Sequence, residues 1–581
     1  MSMEPQPKNE TPAGAAPSPQ PLASSGAAGL AGCAAVLGLG IVLGVSYRPS
    51  PGLSSTPILL IIAAAGAQTA IAIWLARHAR LHFPPPRAIV LAAFAAACIL
   101  AMNSVSVWPN SGDEYGYVYL ARTLMAGRLW NQAAPLPGLF DSYWIYDRNG
   151  VRLSQYAPGW PALLTPFIAT GTEALASPLA LLATGALLVA SLRLLAVPAA
   201  GVAALAALVL LTPFVLFNGA SLFPLTFSGA LVLAVCWLQL REDTSPAAAN
   251  RAAIGLCFSV LLTVRYEIFV LLLACYGIDR IWRRRARFAA DLPALAAGAA
   301  PLTAALLAYN WAITGSPFQL TYSWLHTSQG LGLYAMGDDQ PHSLRRALWN
   351  EQTWFALLCE YGGLALLLLF AVAIVLKIRS KTLRFYDALP FAAGGFFFLF
   401  PELGGHQFGP RYWLFAFAPM ALTTAALPID RDGWLLLGGR RLHLPRLHLP
   451  RLHLPSLAAL QIAGFAAMAV MVGVSFRLYA DMRREVYHPW PPAVPATVLI
   501  PSRTIIPTPW QRAPAVADSR DFTRNGTDFD APVLYGRADA PDAIKLACSL
   551  PGRAVYLWQD AGHLARIDCR TGAAISDRTG G

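Results

Sequence analysis

AIVLAAFAAACILAMNSVSV, residues 88–107, is followed at once by Trp108-Pro109-Asn110 and then by Ser111-Gly112-Asp113-Glu114-Tyr115-Gly116-Tyr117. The first stretch carries no charge and is long enough, at 1.5 Å per residue, to cross the apolar core of a bilayer. The second sets two carboxylates side by side where the chain leaves that core, a costly position for charges without a task. The first stretch decides the fold, and the second is where the chemistry begins.

Working outward, apolar runs of similar kind recur at 27–46, 57–76, 158–172, 177–196, 199–217, 221–240, 252–277, 290–312, 354–376, 385–402, 412–428 and 456–476. With 88–107 they predict an all-α polytopic membrane protein of about thirteen transmembrane helices. Composition agrees: 56% of the 581 residues are hydrophobic and 13% are charged, too apolar a balance for a soluble chain of this size. The formal net charge of +12 comes from Lys and Arg in short loops, the mark of the cytoplasmic side. The low density of acids and lysines argues against a nucleic-acid surface. The basic loops are Arg77–Arg87, Arg280–Arg287, Lys377–Arg384 and 429–455. A cytoplasmic N-terminus puts all four inside. The Asp113 loop, the loops 313–353 and 404–411, and the C-terminal tail then fall outside.

The predicted organisation is a disordered cytoplasmic leader at 1–26, two additional N-terminal spans within 27–87, and a transmembrane core at 88–476 with an outer loop at 108–157. A tail at 477–581 follows. The tail turns strand-like at Arg553-Ala-Val-Tyr-Leu-Trp, which predicts a small α+β unit. Cys548 and Cys569 lie within it, and a disulfide between them requires an oxidising compartment. The other cysteines lie in or beside apolar runs and no Cys-x-x-Cys occurs, against a zinc or redox site. Arg441-Leu-His-Leu-Pro recurs at Arg446 and Arg451. A linker accounts for this repeat better than a metal site built from His443, His448 and His453.

Within the outer loop, Ser111-x-x-Glu114 fits a capping box that opens a helix, with Gly127 as its stop. The helix dipole would keep Asp113 ionised near its N-terminus. The acid pair then either only caps the helix or supplies a general base, and the local sequence leaves both open. Further on, Tyr156-Ala157-Pro158-Gly159-Trp160-Pro161 marks re-entry into the membrane.

Taken in order, four motifs resemble the C-type (GT-C) glycosyltransferases. They are Asp113-Glu114-x-x-Tyr117 after a span, Tyr156-x-Pro158-Gly159-Trp160-Pro161, Asn218-Gly219-Ala220-Ser221 between spans, and Gly409-Pro410-Arg411-Tyr412 late in the chain. Within that superfamily they look most like the bacterial relatives of protein O-mannosyltransferases and aminoarabinose transferases, over residues 88–428. The resemblance implies a GT-C-like fold in a bacterial plasma (inner) membrane, N-terminus cytoplasmic and C-terminus periplasmic. It implies a polyprenyl-phosphate sugar as donor and an envelope protein, lipid or polysaccharide as acceptor. Asp113 falls on the family's catalytic acid, with Glu114 beside it.

An inverting displacement leaves a lipid phosphate, which calls for arginine. Arg411, Arg265 and Arg152 compete for that place. Tyr156, Tyr412 and His406 are further substrate-binding candidates. Arg265 and Glu267 do not share a helical face, so an i,i+4 pair does not neutralise them. Either the helix breaks there or Arg265 pairs with a neighbouring span. Glu402 reads as an interfacial acid or a sugar or metal contact, and Asp338-Asp339 as a solvated turn. Some enzymes of this kind use a divalent cation, but Asp113 and Glu114 alone supply too few ligands to assign one. Two other functions compete: a transporter or flippase of envelope lipids or saccharides, and a scaffold acting through its outer tail.

Overall fold

The computed structural model describes residues 55–575 apart from 79, 82, 142–143, 327–329, 336–340, 402, 404–407, 437–450, 487–490, 501–524 and 561–562. The predicted leader, the 27–46 run, Asp338-Asp339, Glu402, His406, His443 and His448 lie outside the described residues.

The chain is a helical bundle: α1 (Ser55–His78), α2 (Pro86–Leu100), α3 (Gly112–Met125), α4 (Gly159–Ala169), α5 (Ala176–Leu194), α6 (Ala199–Leu210), α7 (Pro213–Ala220), α8 (Leu225–Thr244), α9 (Ala248–Val264), α10 (Tyr266–Thr314), α11 (Thr321–Leu325), α12 (Leu344–Glu360), α13 (Leu364–Arg379), α14 (Phe385–Phe398), α15 (Leu414–Thr424) and α16 (Leu454–Val486). Among the described residues six helices are long and apolar enough to cross a bilayer, or eight if each of two bent pairs counts as one span. The pairs are α6 with α7, bent by 61°, and α12 with α13, bent by 112°.

The four basic loops gather at one end of the bundle. Leu81 donates its N–H to Ser456 Oγ at 3.0 Å, and Arg80 lies 5.8 Å from the Trp434 ring centroid. Arg384 pairs with Asp243 at 2.7 Å, and Lys377 Nζ donates to Asp387 at 2.8 Å. Asp113 lies at the opposite end.

Several of the expected spans are corrected: the 385–402 and 412–428 runs form only the 14-residue α14 and the 11-residue α15, and the 354–376 run is broken by the bend between α12 and α13. The 158–172 run forms only the 11-residue α4, about half the length a crossing needs. It turns back at the Asp113 end: Trp160 donates to the Leu222 carbonyl at 2.8 Å and Ser177, beyond the turn, to that of Phe223 at 3.4 Å. The 252–277 run is not one helix, because the chain goes extended at Arg265 (φ −149, ψ 98) and reverses into α10. α10 itself doubles back. Arg280 pairs with Asp291 eleven residues on, a separation that a straight helix would hold about 16 Å apart. Its second arm packs closely on α9: a Cβ at Gly255 would lie 2.0 Å from the Leu295 carbonyl oxygen.

The outer loop carries a small sheet, β1 (Asn131–Gln132), β2 (Ile145–Arg148) and β3 (Val151–Ser154), in the order β1-β3-β2. A two-stranded ladder, β4 (Trp434–Leu435) and β5 (Leu452–His453), lies at the basic end. There His453 bonds Ser456 at 2.7 Å. The tail holds β6 (Ala496–Ile500), β7 (Val533–Arg537), α17 (Ala543–Cys548), β8 (Ala554–Asp560), β9 (His563–Ile567) and β10 (Ala574–Ile575). Its sheet runs β10-β9-β8-β6-β7, with β6, β7 and β8 parallel. β7 and β8, both parallel to the β6 that lies between them, are connected by a crossover that carries α17. Cys548 and Cys569 are joined by a disulfide.

Tail and outer loop share one core. Leu139 and Phe140 pack with Leu499, Leu534 and Val555, and Arg537 N–H donates to the Leu139 carbonyl at 2.9 Å.

Candidate functional site

α3 begins as its sequence dictates. Ser111 is extended at the N-cap, and its hydroxyl accepts the Glu114 N–H at 3.2 Å. The return half of the capping box differs from expectation. Glu114 is fully buried, and its carboxylate accepts from the Asn110 N–H and, at 2.9 Å, from the Leu222 N–H. It therefore ties the outer loop to the segment between α7 and α8. Burial pushes its pKa up to about 7, against the pull of those two N–H groups and of Arg411.

One residue earlier, Asp113 takes two donors. The Tyr156 hydroxyl bonds Oδ1 and the Arg411 guanidinium bonds Oδ2. Burial, with the Asp113 charge behind it, holds the Tyr156 hydroxyl well above its usual pKa, so it stays a proton donor. Tyr156 reaches this position because residue 116 is glycine: a Cβ there would lie 2.5 Å from the Tyr156 ring. Tyr117 packs on the same ring, centroids 4.3 Å apart.

Arg411 is delivered by a tight turn. Gly409 has φ +88, which suits glycine, and a Cβ there would meet the Phe214 ring at 2.8 Å. Asn218 Nδ2 fixes the turn by donating to the carbonyls of Phe408 at 3.0 Å and Phe214 at 2.7 Å. The guanidinium lies 4.0 Å from the Phe223 ring centroid.

Arg265 arrives from the other side. Its extended backbone breaks the α9–α10 connection, and Gly159 of α4 packs there so tightly that a Cβ would lie 2.4 Å from Thr263 Oγ1. The break also changes the pairing expected from helical spacing. Off the helix, Arg265 reaches Glu267 at 2.5 Å. The two guanidinium groups flank one ring, Arg265 at 5.2 Å and Arg411 at 5.6 Å from the centroid of Tyr412. Tyr412 is stacked on Phe397 at 5.3 Å. Arg265 Nε is buried without a hydrogen-bond partner.

The structure thus gathers Asp113, Tyr156, Arg411, Arg265 and Tyr412. Arg152 is held elsewhere: it is buried, paired with Asp147 at 2.6 Å and bonded to the Phe140 carbonyl at 2.7 Å. Its fixed partners make it a brace of the loop. His406 lies outside the described residues. Phe223 was missed by sequence reasoning, having no signal beyond following the Asn218–Ser221 motif. Among the described residues no group of three His, Cys, Asp or Glu side chains could hold a metal ion.

No protein-family model matches the chain, and no curated protein matches it. Among solved structures it is similar to ArnT from Cupriavidus metallidurans bound to undecaprenyl phosphate, at 13% identity and a TM-score of 0.51, covering 81% of this chain and 92% of that one. ArnT from the same organism in the apo state also matches, at 13% identity and a TM-score of 0.49 over the same shares. The chain therefore shares the overall fold of ArnT, and its apolar helices are those of a multi-pass membrane protein.

Proposed function

We propose that the chain is a membrane glycosyltransferase that moves a sugar from a polyprenyl-phosphate donor to an acceptor at the Asp113 end, with the basic end cytoplasmic. The observation that carries this is the joining of a carboxylate to an arginine by an ion pair beside a second arginine, at the end of the bundle away from the basic loops. The acceptor oxygen attacks the anomeric carbon as the bond from that carbon to the phosphate oxygen breaks. Asp113 takes the acceptor proton, and the polyprenyl phosphate leaves with the electron pair. Arg411 and Arg265 meet the charge that develops on the phosphate, in surroundings dry enough to strengthen them. Tyr156 and Tyr412 orient these three charges. Inversion follows from the single displacement. An outward site suits a lipid-borne donor, since soluble nucleotide sugars are cytoplasmic. The fold likeness, and the undecaprenyl phosphate bound to ArnT, support a lipid phosphate as partner.

One observation favours a transporter or flippase as second reading. The breaks of the two bent pairs touch, Phe214 N–H donating to the Tyr361 carbonyl at 3.2 Å, and broken helices line many transport sites. Proteoliposomes holding the purified chain, a polyprenyl-phosphate sugar and a mixture of envelope lipids and glycans separate the two. The transferase releases free polyprenyl phosphate and forms a glycosylated product. Movement of the lipid between leaflets with no covalent product would reject it in favour of transport.

A further inference from the structure

Tyr156 is the near end of a line of polar groups leading away from Asp113. The residue before it in the chain is Gln155. Gln155 is buried, and its Oε1 lies 2.6 Å from His326 Nε2. Three aromatic rings surround that imidazole: Tyr322 at 4.6 Å, Tyr146 edge-on at 5.2 Å and Trp144 edge-on at 6.2 Å between centroids. All four ring side chains are half-buried.

The cluster is held in place from both sides. Arg148, on β2, lies 4.3 Å from the Trp324 ring centroid and donates to the Trp324 carbonyl, which fastens α11 to the outer loop. Trp144 has φ 63, a left-handed backbone rare for so bulky a residue, kept where the surroundings enforce it. An interfacial aromatic belt needs neither feature. It presents separate rings to the headgroups, not rings closed around an imidazole that is bonded to a buried amide.

We propose that Trp144, Tyr146, Tyr322 and His326 form an acceptor subsite for a carbohydrate ring, joined to the reacting centre through Gln155 and Tyr156. The inference rests on the transferase reading and deepens it by making the acceptor a sugar hydroxyl. A pyranose offers a C–H face that stacks on aromatic rings and a rim of hydroxyls that bond an imidazole and an amide. Arg411, assigned to the phosphate, meets Asp113 at Oδ2, whereas Tyr156 bonds Oδ1. A donor held by Arg411 leaves the Oδ1 side of the carboxylate to the acceptor.

The test uses the full chain in nanodiscs with methyl glycosides of mannose, galactose and N-acetylglucosamine as probes, followed by saturation-transfer NMR. Binding of undecaprenyl phosphate is measured in parallel. The wild type is expected to bind at least one glycoside in the millimolar range. Tyr322→Ala and His326→Ala are expected to weaken it about tenfold or more while leaving lipid binding unchanged. The proposal is overturned if no glycoside binds the wild type, whether or not a Ser/Thr-rich peptide does, or if either variant binds glycoside as the wild type does. Glycoside binding that persists in a wild type unable to bind undecaprenyl phosphate would overturn the transferase reading and leave the subsite standing.

Discussion

The two ends of the bundle both carry buried ion pairs, yet they differ in how closed those pairs are. At the basic end Asp387 is 1% exposed and accepts from Lys377 Nζ, the Arg384 N–H and the Thr423 hydroxyl. Nothing remains there for a ligand to take. At the other end Asp113 is 20% exposed and Glu267 is 22% exposed, each facing an arginine whose remaining surface rests on aromatic rings. A closed pair holds helices together. A pair left partly open can exchange one partner for an incoming phosphate or hydroxyl. The difference teaches that burial of charge alone does not mark a site, whereas burial with an open side does.

Removing the open carboxylate is the hardest blow to this contrast. Asp113→Asn is expected to lower sugar transfer on the order of 10³-fold while leaving expression and binding of undecaprenyl phosphate intact, measured in proteoliposomes. Full transfer would strip Asp113 of its role. Next comes Arg411→Ala, with a loss of about 10²-fold in kcat/KM. Arg411→Lys is expected to restore little of it, because an ammonium lacks the planar fork that spans carboxylate and phosphate. Activity fully restored by lysine would reduce Arg411 to a point charge.

The closed end should respond in stability, not in chemistry. Asp387→Ala strands the buried Lys377 and is expected to cost about 3 kcal/mol, seen as a lower unfolding temperature in detergent. The double change Lys377→Met with Asp387→Leu is expected to recover most of that loss, and transfer by the folded fraction should stay near normal. A selective loss of transfer without a loss of stability would erase the distinction between the ends.

The smallest effect concerns Glu114, whose pKa burial raises to about 7. The folded outer loop prefers the protonated acid. The resulting stability is full below the usual carboxylate range and is lost as pH rises to about 7. The unfolding temperature of the wild type should therefore fall between about pH 5 and about pH 8 more than that of Glu114→Gln. Parallel pH profiles would show instead that the N–H groups of Asn110 and Leu222 keep the acid charged.

Some of this was legible in the chain. The apolar runs, the basic loops and the acid pair followed by a capped helix are local properties, and Ser111 caps α3 as its position demands. The tail's strand content was equally plain, because Arg553-Ala-Val-Tyr-Leu-Trp carries β-forming residues whatever surrounds it. The course of the helices was only partly legible. A run such as 252–277 has the hydropathy of a span, and hydropathy does not register that Arg265 leaves the helix to meet Glu267.

The sequence by itself determined that this chain belongs in a lipid bilayer and that acids stand at one exit from it, because transfer from water to lipid sums over neighbouring residues. Only the tertiary structure decided which charges meet. Arg411 pairs with Asp113 across 298 residues, Arg152 is spent bracing its loop, and the 158–172 run turns back at the end where it began. Coulomb attraction falls with distance through space and takes no account of distance along the chain, so no local pattern announces such a pair.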